Sequence, residues 1–97
     1  MSYTIVYLVS SKLDVINAKN WYRNQQIGLD NRFATAIKCA ILRLKENPFY
    51  FQLRYNNIRI AYPKTFPFGI HYYIDLAKRE IIIVAIIHNK RNFIEEI

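Results

Sequence analysis

Residues 58–75, IRIAYPKTFPFGIHYYID, hold the pattern that decides the fold. Ile58-Arg59-Ile60-Ala61-Tyr62 alternates, Pro63 to Pro67 supply a turn, and Phe68 to Asp75 alternates again. Two period-two segments joined by a turn read as an antiparallel strand pair with one buried face. Upstream, Asn56-Asn57 can make a tight turn into the first of these strands. Downstream, Leu76 to Glu80 turns again, into the seven aliphatic residues 81–87, IIIVAII. A run with no alternation reads as a strand flanked by neighbours and covered on at least one side.

The first half of the chain has different periodicities. TIVYLV, residues 4–9, is β-branched and aromatic and ends at Ser10-Ser11, which reads as a strand running into a helix. Ser11-Lys12-Leu13-Asp14 has the spacing of a capping box, with aspartate in the place of glutamate. The first helix then runs through Trp21-Tyr22 to about Gln26, Gly28 offers a left-handed residue to close it, and Asp30 can cap a second helix. In that helix Phe33, Ile37, Ala40, Ile41 and Leu44 recur at spacings of three and four, with Arg32, Lys38, Arg43 and Lys45 elsewhere. Asn47-Pro48 ends it, because the residue before proline is pushed out of the helical region. The expected architecture is α+β in the order β-α-α-β-β-β, a helical hairpin packed on one face of a mainly antiparallel sheet.

At 97 residues the chain is read as a single domain, 1–97, and one compact unit must carry any activity. Hydrophobic residues at 53% and charged ones at 22% exclude a disordered or low-complexity chain. No apolar run approaches the ~20 residues of a membrane span, the start MSYTIVYLVSS lacks the basic region of a secretory signal, and the lone Cys39 fits a reducing compartment. A cytoplasmic protein without membrane partners is expected. Fourteen Lys and Arg against seven Asp and Glu give a net charge of +7, which favours anionic partners, nucleic acid or acidic polypeptide.

Parity assigns strand faces. Ile58, Ile60 and Tyr62 form one apolar set, and Ile70, Tyr72 and Ile74 another, both expected beneath the helices. The opposite faces then carry Arg59 and Ala61, and Gly69, His71, Tyr73 and Asp75. His88 has the parity of Ile82, Val84 and Ile86, but both sets of that strand are aliphatic, so either face is open to it. If it joins Arg59 and His71, the helix-free face becomes a surface of one cation, two imidazoles and a phenol, rimmed by Lys64, Lys90 and Arg91. Such a surface could hold a phosphodiester, since guanidinium binds phosphate bidentately and imidazole exchanges protons near neutrality. A solvated strand face is the plainer alternative. No glycine-rich phosphate loop, zinc pattern or paired carboxylate occurs, so no cofactor and no metal are expected. Tyr3, Tyr7, Phe33, Phe66 and Trp21-Tyr22 read as packing residues.

In this order the pieces WYRNQQIGLDNRF, ENPFYF, IRIAYPKTFPFGIHYYI and IIIVAIIHNKRN resemble the RelE/ParE superfamily of type II toxin–antitoxin toxins, long known as plasmid stabilisation proteins. The resemblance spans most of the chain. It implies a toxin that arrests growth when free and is silenced by a cognate antitoxin, alone or in a larger hetero-oligomer, with a homodimer also open. RelE-like members cut mRNA on the ribosome without metal; ParE-like members inhibit DNA gyrase and are not nucleases. On this pattern Arg59 matches the strand arginine that nuclease members use on the scissile phosphate, His88 falls where several supply an acid or base, and Arg91 matches the basic residue after it. His71 and Tyr73 are further catalytic candidates, and Lys64 and Lys90 binding ones. Phe93 stands where many relatives have proline, and a second acid–base group is missing. The helical hairpin with its Gly-Leu turn looks ParE-like, which favours gyrase. The alternatives are an mRNA endoribonuclease and an inert member that only binds its antitoxin.

Overall fold

The computed structural model describes residues 3–90. Strand β1 (Thr4–Tyr7) leads into helices α1 (Val9–Gln25) and α2 (Leu29–Glu46), followed by strands β2 (Leu53–Tyr55), β3 (Ile58–Ala61), β4 (Phe68–Asp75) and β5 (Glu80–His88). The strands form one sheet in the order β1-β5-β4-β3-β2, antiparallel except that β1 runs parallel to β5. The architecture is the expected α+β hairpin on a sheet, with one short strand added: Leu53–Tyr55 pairs with β3 across the Asn56-Asn57 turn, where Asn56 takes φ 46°.

The helix boundaries follow their local chemistry. Gly28 adopts φ 88°, open to glycine at little cost, and lets the chain reverse between α1 and α2. Asp30 is not the cap of α2; it lies in the first turn and accepts a hydrogen bond from Arg23 Nε at 3.1 Å, which stitches the two helices together. That hydrogen bond holds the Asp30 carboxyl below its ordinary range. The α2 helix ends at Glu46, before Asn47-Pro48, as the proline dictates.

The expected capping box does not form. Helix α1 begins three residues earlier, at Val9 with Leu8 at the cap position, so Ser11 is already inside it and returns its hydroxyl to the Leu8 carbonyl at 2.8 Å. Asp14 serves β5 instead. A register shift opposite His71-Tyr72 leaves Val84 as an extra residue between Ala85 and Ile83, a bulge that disrupts the ladder. Two α1 side chains one turn apart serve this segment: Ser10 Oγ donates to the Val84 carbonyl at 2.8 Å, and Asp14 Oδ2 accepts from the Ile86 amide at 2.9 Å. Buried backbone groups need such partners.

The core lies between the hairpin and the sheet. Tyr22 and Phe33 from the helices meet Phe66 and Phe68, with Tyr22–Phe66 and Phe33–Phe68 ring centroids 5.1 and 5.0 Å apart, around Ile70, Tyr72, Ile81, Ile83 and Ile86. The other sheet face is also apolar: Ile58, Ile60, Ile82, Ala85 and Ile87 are buried outside that cluster. Among the described residues, no helix is long and apolar enough to cross a membrane.

Candidate functional site

The β3–β4 register decides which side chains can meet. Arg59 pairs with Tyr72 and Ala61 with Ile70, so Arg59 and Ala61 lie on the helix side. The parity expected for β3 is therefore reversed: Ile58 and Ile60 share the helix-free face with His71, and Tyr62 is exposed. The reason is the connection between the strands, which joins odd residues of β3 to even ones of β4.

On the helix side Arg59 is already occupied. Its Nη1 donates to the Phe51 carbonyl and its guanidinium lies 5.2 Å from the Phe49 ring centre, a cation–π contact. Next to it, Tyr72 Oη donates to the Pro48 carbonyl at 2.8 Å, and burial pushes its phenol up to about 12 although the Arg59 charge pulls the other way. Both side chains pin the loop after α2 to the sheet.

His71 faces the opposite way, with only 6% of its surface exposed. Its Nδ1 and Tyr55 Oη share a hydrogen bond of 2.8 Å. Beside it Gly69 permits a close approach: a Cβ there would lie 2.8 Å from Ile60 Cγ2. Burial, with a smaller contribution from Arg54, lowers the His71 pKa from 6.5 to about 4. The imidazole is neutral near pH 7, which suits packing better than proton exchange. A depressed histidine pKa means that the folded state resists a proton the unfolded chain accepts, so its stabilising contribution is complete above pH 6.5 and lost as pH falls toward 4. Urea unfolding is expected to show a loss of up to about 2 kcal/mol at pH 5 relative to pH 7 from this group, and His71→Phe is expected to flatten that difference. An unchanged slope in the variant would assign the effect elsewhere.

His88 joins the helix side. It pairs with Phe68, their rings 5.2 Å apart, and lines a cavity of about 390 Å3 with Asp14, Asn17, Trp21 and Ile86. The Val84 bulge explains why: it shifts parity, so Ile86 and His88 fall on the same side as Ile81 and Ile83 and not as Ile82. His88 Nδ1 accepts the Lys90 amide at 3.1 Å, which leaves Nε2 to carry the ring proton when neutral. Two strands and four residues separate it from Arg59, roughly 16 Å by strand spacing. Tyr73 is half-buried on the His71 face, Lys64 sits in the β3–β4 turn against α2, and Lys90 is exposed after β5. Arg91 and Phe93 lie outside the described residues.

The structure thus brings Arg59, His71 and His88 to three different places. It also brings forward residues that sequence reasoning set aside. Trp21, read as packing, is 58% exposed at the rim of the His88 cavity, while its neighbour Tyr22 fills the core. Helix phase separates them, since adjacent residues point about 100° apart.

A second cavity, of about 440 Å3, lies between the two helices and is lined by Tyr7, Val15, Ile16, Ile37 and Ile41, together with Lys12 and Lys38. Tyr7 ends β1, a sheet edge whose outer side has no strand partner among the described residues.

No family model matches the chain, and no curated protein matches it in sequence. Solved structures do. A chain of the chromosomal ParDE TA system from P. aeruginosa superposes with a TM-score of 0.75 at 14% identity, over 89% of this chain and 95% of that one. A chain of the toxin–antitoxin complex RelBE2 from Mycobacterium tuberculosis superposes with a TM-score of 0.63 at 16% identity, over 91% and 99%. At such identities the likeness establishes architecture. Two helices on a five-stranded mixed sheet, in this order and at nearly full coverage of both chains, make this the RelE/ParE fold.

Proposed function

We propose that this protein is the toxin of a type II toxin–antitoxin system, neutralised by a cognate antitoxin and acting in the ParE manner on DNA gyrase. The observation that carries the choice of target is the dispersal of the nuclease candidates. In-line cleavage of a phosphodiester needs a group to accept the 2′-hydroxyl proton, one to protonate the leaving oxygen and a cation on the phosphate, all within about 3 Å of the reacting atoms. Here Arg59 is bound to the 49–51 loop, His71 is buried and neutral on the other face, and His88 stands apart.

The antitoxin is assigned to the cavity between the two helices. An apolar trough with Lys12 and Lys38 in its lining, beside the open β1 edge, suits an acidic amphipathic segment that fills the groove or adds a strand. Induction of the chain without antitoxin is expected to arrest growth, and Arg59→Ala and His88→Ala variants that still fold are expected to arrest it equally. Loss of arrest in both folded variants would favour the endoribonuclease; absence of arrest in the native chain would favour an inert, antitoxin-binding protein.

A further inference from the structure

A third concavity is unlike the other two. About 590 Å3 in volume, it runs between α2 and the β3–β4 turn and carries Arg32, Arg43 and Lys64 with Asn31, Thr35 and Thr65. On α2 the positions 32, 36, 39 and 43 follow one another at spacings of four, three and four, so they form a single stripe along the helix. The turn is held against that stripe because Phe66, next to Lys64-Thr65, is anchored in the core, 5.1 Å from the Tyr22 ring and 5.3 Å from Phe33. The trough is therefore a fixed groove between two elements, and among the described residues nothing acidic lines it. Among the described residues, none of its three cations makes an ion pair; the one ion pair there joins Arg23 to Asp30.

We infer that the trough formed by Arg32, Arg43 and Lys64 binds the phosphodiester backbone of a nucleic acid. Its donors are guanidinium, ammonium, amide and hydroxyl groups, the set that satisfies multi-oxygen anions. Arg32 and Arg43 are eleven residues apart, about 16 Å along the helix, a reach well beyond the axial rise of about 3.4 Å between successive phosphates of a duplex strand. An acidic polypeptide fits less well. It would need apolar anchors, and among the described residues none of the exposed large hydrophobic side chains lines the trough. Base reading is equally unsupported, since its aromatic residue, Phe66, is 9% exposed and offers no stacking face. The binding is thus to the backbone and tolerant of sequence. It stands apart from the target assigned above: it needs neither His88 nor the antitoxin groove.

Cys39 lies in the trough, is exposed, and is the chain's one cysteine, so its thiol reports occupancy directly. The test is fluorescence anisotropy of a labelled 20-nucleotide oligothymidylate with the full chain over a salt series, together with the rate of Cys39 modification by a chromogenic disulfide. Three phosphate contacts predict a log–log salt slope of about −2, flattened by about 0.7 in each of Arg32→Ala, Arg43→Ala and Lys64→Ala. The triple variant is expected to bind at least about tenfold more weakly, whereas Lys78→Ala, the same charge lost at a remote turn, keeps the native slope. Circular dichroism confirms that the variants, all of exposed side chains, remain folded. The oligonucleotide is expected to slow Cys39 modification several-fold, and poly-glutamate of equal charge to leave it unchanged. No binding, a slope unaltered in the triple variant, or an unprotected Cys39 would overturn the inference. Equal protection by poly-glutamate would overturn it too, in favour of an acidic polypeptide.

Discussion

Phe33→Ala is expected to destabilise the protein by about 3–5 kcal/mol, the range for truncating a fully buried aromatic ring. Phe33 is 0% exposed and touches Tyr22, Phe66 and Phe68 at ring-centroid distances of 5.2, 5.3 and 5.0 Å. Removing it empties the point where α1, α2 and the β3–β4 connection converge. No neighbour can collapse into the gap without giving up its own ring contacts, so the cavity persists and the cost stays high. Domains of this size have about 5–15 kcal/mol in total, and about 3–5 kcal/mol corresponds to roughly 12–30 °C in Tm. Thermal unfolding followed by near-ultraviolet circular dichroism measures it. A shift below about 5 °C would mean that the aromatic cluster does not hold the hairpin to the sheet.

The second large effect concerns neutralisation. Ile16→Asp places a carboxylate in the apolar groove between the helices, where Val15, Ile37 and Ile41 form the wall. Ile16 is 53% exposed, so folding is expected to survive the change. An antitoxin segment seated there would lose an apolar anchor and have a buried charge to desolvate, a loss of about 2 kcal/mol or more, roughly 30-fold in Kd. Titration calorimetry with purified antitoxin reads the Kd, and co-expression reads the consequence, because an unneutralised toxin arrests growth. A native Kd in this variant would move the antitoxin off the hairpin.

Much of the fold was legible because its signals are local. Gly28, Asn47-Pro48 and the period of Phe33, Ile37, Ile41 and Leu44 act within a few residues, and the helices begin or end close to where these place them. Ser11 and Asp14 misled for the opposite reason. Their spacing fits a cap, but Asp14 is held by a long-range need, the Ile86 amide beside a bulge seventy-two residues away. The strand faces expected for the candidate residues were missed for the same reason. Which face Arg59 and His88 occupy depends on the length of the β3–β4 connection and on one extra residue, Val84, and neither leaves a mark in the alternation of a strand that is aliphatic on both sides. A one-residue shift moves every following side chain to the other face. The imidazole–guanidinium surface that parity allowed is therefore split between two faces, whereas the exposed Trp21 and the Arg32–Arg43 stripe, which depend only on helix phase, could have been found from the sequence.

The central claim of the proposed function is that the protein is a toxin that acts on a protein target and does not cut RNA. Its most direct test is one preparation of the purified protein divided between two assays: supercoiling of relaxed DNA by purified DNA gyrase, and cleavage of a defined mRNA in a translating extract. The expected result is loss of supercoiling with increasing protein and an intact mRNA. Cleavage of the mRNA that disappears with folded Arg59→Ala or His88→Ala, while supercoiling proceeds unimpeded, would contradict it.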